Sequence, residues 1–186
     1  MNWYLQSGKQ SDVVCNTKIE YSRNFRNYKF QTSNKSEIEQ IEKEIKSKFP
    51  SLGYGLKFCK LKDMDNLTKN SLVEKGLINK NMAKDKNEVY SILVNDEENI
   101  CIMLNEEDHI ELQVFSSGMD LENNFKYAKE IDEKIESLFD IAKSEKYGYL
   151  TTVPTKVGTR FNCKSKATFT RTYQNWKYEA NSASCK

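Results

Sequence analysis

The stretch YSILVNDEENICIMLNEEDHIELQVFSSG, residues 90–118, carries three runs of β-forming residues separated by polar breaks. Val89 to Val94 is rich in such residues, N-D-E-E-N makes a polar turn, Ile100 to Leu104 is apolar throughout, and Ile110 to Phe115 alternates. This pattern predicts three strands of an antiparallel meander. Ile110, Leu112 and Val114 face a core, while Glu111 and Gln113 face away from it. Between the second and third runs stands N-E-E-D-H, residues 105–109, the densest carboxylate cluster of the chain and the place of its only histidine. Polar residues are expected wherever strands reverse, so Glu106 and Asp108 read first as solvated turn acids.

Outward from the meander, Leu121, Phe125, Ala128, Ile131, Ile135, Leu138, Phe139 and Ala142 recur at helical spacing and predict an amphipathic helix of about six turns lying across the sheet. On the other side, Ser36 as an N-cap candidate precedes Ile38, Ile41, Ile45 and Phe49, and Pro50 blocks continuation. Gly53 and Gly55 form a turn, Leu56, Phe58 and Leu61 suggest a short strand, and a weaker helix covers part of Thr68 to Lys75. Strands and helices without a βαβ rhythm argue for an α+β fold, an antiparallel sheet covered by helices on one face. Residues 1–166 read as one domain. The pattern degrades over 167–186, a poorly defined tail in which Trp176 has no place.

The 186 residues suffice for a single core. Lys and Arg number 29 against 27 Asp and Glu, so no broad single-sign field favours nucleic acid or anionic lipid. No apolar run has the length of a membrane span, and the first residues lack the apolar stretch of a secretory signal, which together predict a cytoplasmic protein. The five cysteines are odd in number, widely spaced and without a C-x-x-C, so they read as reduced packing thiols, with no metal site. Trp3, Tyr4, Phe115 and Tyr127 read as packing residues, and Arg23 as the partner of an internal acid.

N-E-E-D-H resembles the signature of the ATP:guanido phosphotransferases, the family of creatine, arginine and bacterial protein arginine kinases. Three further stretches agree in the same order: SDVVCNTKIEYSRNFRNYKF near the start is similar to a nucleotide-site segment S-D-I-V-x-S-[ST]-R-I-R-L-A-R-N, LVEKGLINKN at 72–81 to L-V-E-K-H-L-I-S-P-N, and YGYLTTVPTKVGT at 147–159 to G-Y-L-T-S-C-P-T-N-x-G-T. The protein arginine kinase branch fits best. The resemblance implies a guanido kinase catalytic fold of the glutamine synthetase-like type, ATP with Mg as cofactor, and an arginine-bearing protein or peptide as acceptor. It assigns Glu107 the role of orienting the guanidinium and taking its proton as the nitrogen attacks. Glu106, Asp108 and His109 then shape the turn, His109 by packing or hydrogen bonding.

The phosphate side of the pattern departs. Lys18 and Glu20 stand where the motif carries arginines, Gly76 where it carries histidine, Glu111 at another arginine, Val153 at the cysteine and Lys156 at the asparagine. The G-T-G-L-R-A-S that follows becomes G-T-R-F-N-C-K, which places Asn162 at a phosphate-binding arginine. An arginine two residues away, Arg160, does not restore a bidentate fork, nor does Lys164. The family also runs on for well over a hundred residues more. These departures predict an incomplete, catalytically impaired relative that acts as a binding or regulatory module, meeting arginine-bearing peptides or an intact arginine kinase. The alternatives are an active arginine kinase, completed by a second chain, with Lys18, Arg23, Arg160 and Lys164 on the phosphates, and a decaying or frameshifted gene.

Overall fold

The computed structural model describes residues 1–30, 34–84, 89–154 and 157–167. The three meander strands form as the sequence predicts: β3 (Ser91–Val94), β4 (Ile100–Leu104) and β5 (Ile110–Ser117). They sit inside a six-stranded, wholly antiparallel sheet with β1 (Val14–Arg23), β2 (Lys57–Lys60) and β8 (Phe161–Ala167), in the order β2-β3-β4-β5-β1-β8. β1 pairs with β5 from Asn16↔Ser117 to Arg23↔Ile110 and with β8 from Val14↔Ala167 to Tyr21↔Phe161. The ends of β1, β5 and β8 are thereby brought side by side, and the candidate site lies there. A small hairpin, β6 (Lys143–Ser144) with β7 (Gly148–Tyr149), precedes β8.

Helices α1 (Lys35–Lys48) and α4 (Leu121–Leu138) cover one face. Ile41 and Ile45 of α1, with Ala128, Ile131 and Ile135 of α4, pack on Ile19, Tyr21, Ile102, Leu112 and Val114. The cap of α1 is Asn34, not Ser36: its side-chain oxygen accepts from the Ser36 amide at 3.1 Å, satisfying one of the orphan N–H groups of the first turn. Pro50 stands early in a short 3₁₀ turn, Phe49–Leu52, where its missing N–H costs little. α4 ends a turn sooner than its apolar spacing suggests. Phe139 turns extended and inserts between Phe25 and Phe49, at ring separations of 5.0 and 5.4 Å.

The opposite face is also covered in part, which corrects the one-face expectation. Trp3, α2 (Asn66–Lys75), Leu77, Ile78 and α3 (Lys80–Lys84) pack on Ile92, Cys101, Met103 and Phe115. Two-sided burial explains why β4 is apolar at every position. Trp3 stacks on Phe115 at 5.3 Å, whereas Tyr4 is exposed. This cover stops short of β1 and β8, where Lys18, Glu20, Asn162 and Lys164 line the sheet instead. Arg23 is buried against Asp132 at 2.5 Å, the internal acid expected of it. Among the described residues no helix is long and apolar enough to cross a membrane, and Cys15, Cys59, Cys101 and Cys163 form no disulfide. Lys156, Trp176, Cys185 and the tail from residue 168 lie outside the described residues.

Candidate functional site

The N-E-E-D-H segment is the reversal between β4 and β5. Its ends are tied where the Asn105 amide donates to the His109 carbonyl at 3.1 Å, with Asn105 in the left-handed region at φ 59°. Asparagine tolerates that region better than most residues. Asp108 corrects the solvated-acid reading, since it is buried at 2% exposure. Its Oδ1 accepts from Asn24 Nδ2 at 2.6 Å and from the Thr152 amide at 2.9 Å, and its Oδ2 accepts from Arg160 Nη2 at 2.6 Å. Burial by itself would raise the Asp108 pKa; the Thr152, Arg160 and Asn24 donors outweigh it and hold the group below the ordinary carboxylate range.

Asn24, wholly buried, works in both directions: while its amide nitrogen serves Asp108, its oxygen accepts from the His109 backbone amide at 2.9 Å. His109 is a hydrogen-bonding and packing residue, as expected. Its Nδ1 accepts from the Phe25 amide at 3.1 Å, which requires the neutral ring with its proton on Nε2, facing the Lys29 carbonyl at 3.0 Å. Burial lowers its pKa, against the opposing pull of the Lys29 carbonyl, Asp108 and Glu37. The ring stacks on Phe25 at 5.5 Å. Glu106 faces outward from the turn to Asn79 Nδ2 at 2.7 Å and accepts from the Glu107 amide at 2.6 Å.

Glu107 keeps a quarter of its side chain exposed, and Arg160 Nη2 lies 3.7 Å from its Oε1. Arg160 thus spans Asp108, at hydrogen-bonding distance, and Glu107, at ion-pair distance only. It does so from a strained backbone, φ 50°, at the position where the resembling motif carries glycine.

Of the departed phosphate positions, Lys18, Glu20, Glu111 and Asn162 gather on one sheet face. Glu20 is buried and meets Lys18 at 2.6 Å, Lys164 at 2.7 Å and Asn162 Nδ2 at 3.0 Å. Burial works to raise its pKa, and the two ammonium groups overcome this and lower it. Glu111 lies opposite Ser22, diagonal to Glu20, and its pKa is raised by burial and by the like charge of Glu20. Gly76 stands apart from them as the left-handed C-cap of α2, φ 78°, with its amide on the Leu72 and Val73 carbonyls. A helix terminus, rather than a ligand position, explains its glycine.

Sequence reasoning placed Glu106, Glu107, Asp108 and His109 together, and it offered Arg160 to phosphate, whereas that side chain meets the Asp108 carboxylate. It missed Asn24 and Thr152, which act through a single amide or backbone group and leave no periodic signal.

Residues 37–164 match the family of the ATP:guanido phosphotransferase C-terminal catalytic domain. The chain is 38% identical over 162 residues to a protein-arginine kinase of Bacillus mycoides (strain KBAB4), covering 84% of this chain and 45% of that protein. A protein-arginine kinase of Bacillus velezensis is 38% identical over 164 residues, 85% of this chain and 44% of the relative. The chain therefore spans less than half the length of these curated relatives. Among solved structures, the substrate-free duplicated taurocyamine kinase from Schistosoma mansoni superposes with a TM-score of 0.75 at 20% identity, over 90% of this chain and 26% of that one. Lombricine kinase superposes with a TM-score of 0.71 at 19% identity, over 85% of this chain and 48% of that one. Both carry the same fold.

Proposed function

Because the chain belongs to the ATP:guanido phosphotransferase family, we propose that it is a protein-arginine kinase-like module that recognises a guanidinium at the 105–109 turn and is impaired in phosphoryl transfer. The observation that carries this reading is the contrast between the two halves of the site. Glu107 presents a partly exposed carboxylate on a turn pinned by Asp108, Asn24 and His109. Across the sheet face, Glu20 draws both Lys18 and Lys164 onto itself.

A nucleotide triphosphate with Mg requires a surplus of cationic donors, because phosphoryl transfer is catalysed chiefly by positioning and charge neutralisation. The residues present do not fit it. Glu20 draws both lysine ammonium groups onto itself and offsets one of their two charges, Glu111 adds a second acidic side chain to the same face, and Asn162 supplies no charge. Arg23 lies under Asp132 and the Tyr149 ring, 3.6 Å from its centroid, which argues against the reading of an active kinase completed by a second chain. The guanidinium side is chemically suited to its ligand: a carboxylate accepts two parallel N–H donors from arginine in a planar fork that lysine lacks. The partner on this reading is an arginine-bearing protein or peptide, whether free or displayed by an intact arginine kinase.

Two measurements test it. Calorimetric titration with an arginine-bearing peptide is expected to show weak binding that Glu107→Gln abolishes and that a lysine-bearing peptide does not reproduce. A radiolabel assay with Mg-ATP and the same peptide is expected to show no transfer; Glu107-dependent phosphoarginine would overturn the impairment.

A further inference from the structure

We propose that Arg160 is a built-in occupant of the guanidinium site, a side chain of the chain itself seated on the Glu107–Asp108 carboxylates, which an incoming arginine must displace. The inference rests on the guanidinium reading of Glu107 given above and adds the regulation of that site.

Three observations carry it. The first is position: Arg160 Nη2 contacts Asp108 Oδ2 at 2.6 Å and approaches Glu107 Oε1 at 3.7 Å, so one guanidinium bridges both acids of the turn. The second is incompleteness. Arg160 Nε is buried and makes no hydrogen bond among the described residues, and the Glu107 contact is too long for one, so the five-donor fork is only partly used. The third is backbone strain. Arg160 adopts φ 50°, where a side chain with a Cβ is disfavoured, although the carbonyl of the same residue is held by the Ser22 amide at 3.3 Å and the preceding Thr159 carbonyl by Arg23. The backbone is thus fixed by the end of β1 while the side chain beyond it is anchored through a single short contact.

Such an arrangement allows exchange. The main chain at 160 stays registered to the sheet, the Asp108 carboxylate keeps its Asn24 and Thr152 donors when Arg160 leaves, and Glu107 is reached from solvent. Apparent affinity for an external arginine is reduced by the fraction of molecules in which Arg160 is seated.

The test is titration of N-acetyl-arginine amide and of an arginine-bearing peptide into the full chain and into Arg160→Gly, which also relieves the left-handed strain. Arg160→Gly is expected to bind about ten-fold more tightly than the parent, with the gain lost in the Arg160→Gly/Glu107→Gln double variant. Arg160→Lys, which keeps charge without the fork, is expected to fall between them. Equal binding by parent and Arg160→Gly overturns the occupant while leaving the guanidinium reading standing. No binding by either, with Arg160→Gly shown folded by a cooperative melt, overturns both. If Arg160→Gly does not fold, Arg160→Lys carries the comparison, and an affinity no higher than the parent's overturns the proposal.

Discussion

The carboxylate turn and the Glu20 cluster are built from the same ingredients, a buried acid facing cations, yet they behave as opposites. Asp108 is held by two neutral, directional donors from Asn24 and Thr152 as well as by Arg160. Glu20 is held chiefly by two lysine ammonium groups on flexible stems, with Lys164 half exposed. A buried charge with amide donors fixes a geometry; one with lysines fixes mainly a charge balance. On the proposed reading, a turn that presents Glu107 to a guanidinium needs the first arrangement. The second offsets one of the two lysine charges on that face. The separation between them is short, since Glu20 and Asn24 are four residues apart on one extended segment, about 13 Å at a strand rise of ~3.3 Å.

Breaking the turn should have the largest effect. Asp108→Ala leaves Asn24 Nδ2, the Thr152 amide and Arg160 without their acceptor in a buried place, and is expected to cost about 3–5 kcal/mol in denaturant unfolding. A loss below about 1 kcal/mol would mean that the turn is held elsewhere.

Glu20→Gln should cost less, about 1 kcal/mol, because Lys18 and Lys164 retain access to water. It sharpens the comparison through binding rather than stability: released from Glu20, the two lysines should confer measurable, salt-sensitive affinity for inorganic tripolyphosphate, seen by calorimetry and absent from the parent. Tripolyphosphate binding of equal strength in parent and variant would show that Glu20 does not neutralise the face.

The smallest effect is a pH dependence. Burial lowers the His109 pKa below its unfolded value, so the unfolded chain binds the additional proton and stability contributed by the neutral ring is full above about pH 6.5. It is lost as pH falls toward the lower folded value. Asp132 opposes this in the same window, because burial outweighs Arg23 and raises its pKa to about 6, giving stability that declines as pH rises. The readout is therefore a difference. His109→Asn keeps an acceptor for the Phe25 amide but does not titrate, and the parent-minus-variant melting temperature should grow between pH 5 and 7. A flat difference would exclude His109 as a contributor.

Much of the covering architecture was legible locally. α1, α2, β2 and the three meander strands fall close to where periodicity and turn residues put them, because each segment's own burial pattern is regular. β1 was not assigned from periodicity although Val14, Thr17, Ile19 and Tyr21 are good strand formers, since Lys18, Glu20, Ser22 and Arg23 interrupt the apolar signal, and the last three are buried only by what packs on them. β8 has no strong alternation, and its side chains are mostly half-buried. The end of α4 was overextended for the same reason in reverse: Phe139 fits the helical spacing but is claimed by Phe25 and Phe49.

The order of blocks around N-E-E-D-H was sufficient, from sequence alone, to indicate the family and the antiparallel sheet. Only the tertiary structure decided that Asp108 is buried, that Glu20 is neutralised by Lys18 and Lys164, and that Arg160 sits on the carboxylate turn. The reason is distance along the chain. Arg160 and Asp108 are 52 residues apart and Asn162 and Glu20 are 142 apart, and such pairs meet only because β1, β5 and β8 register with one another. Local periodicity records which face a residue turns to; which charge it meets there is settled by strand pairing.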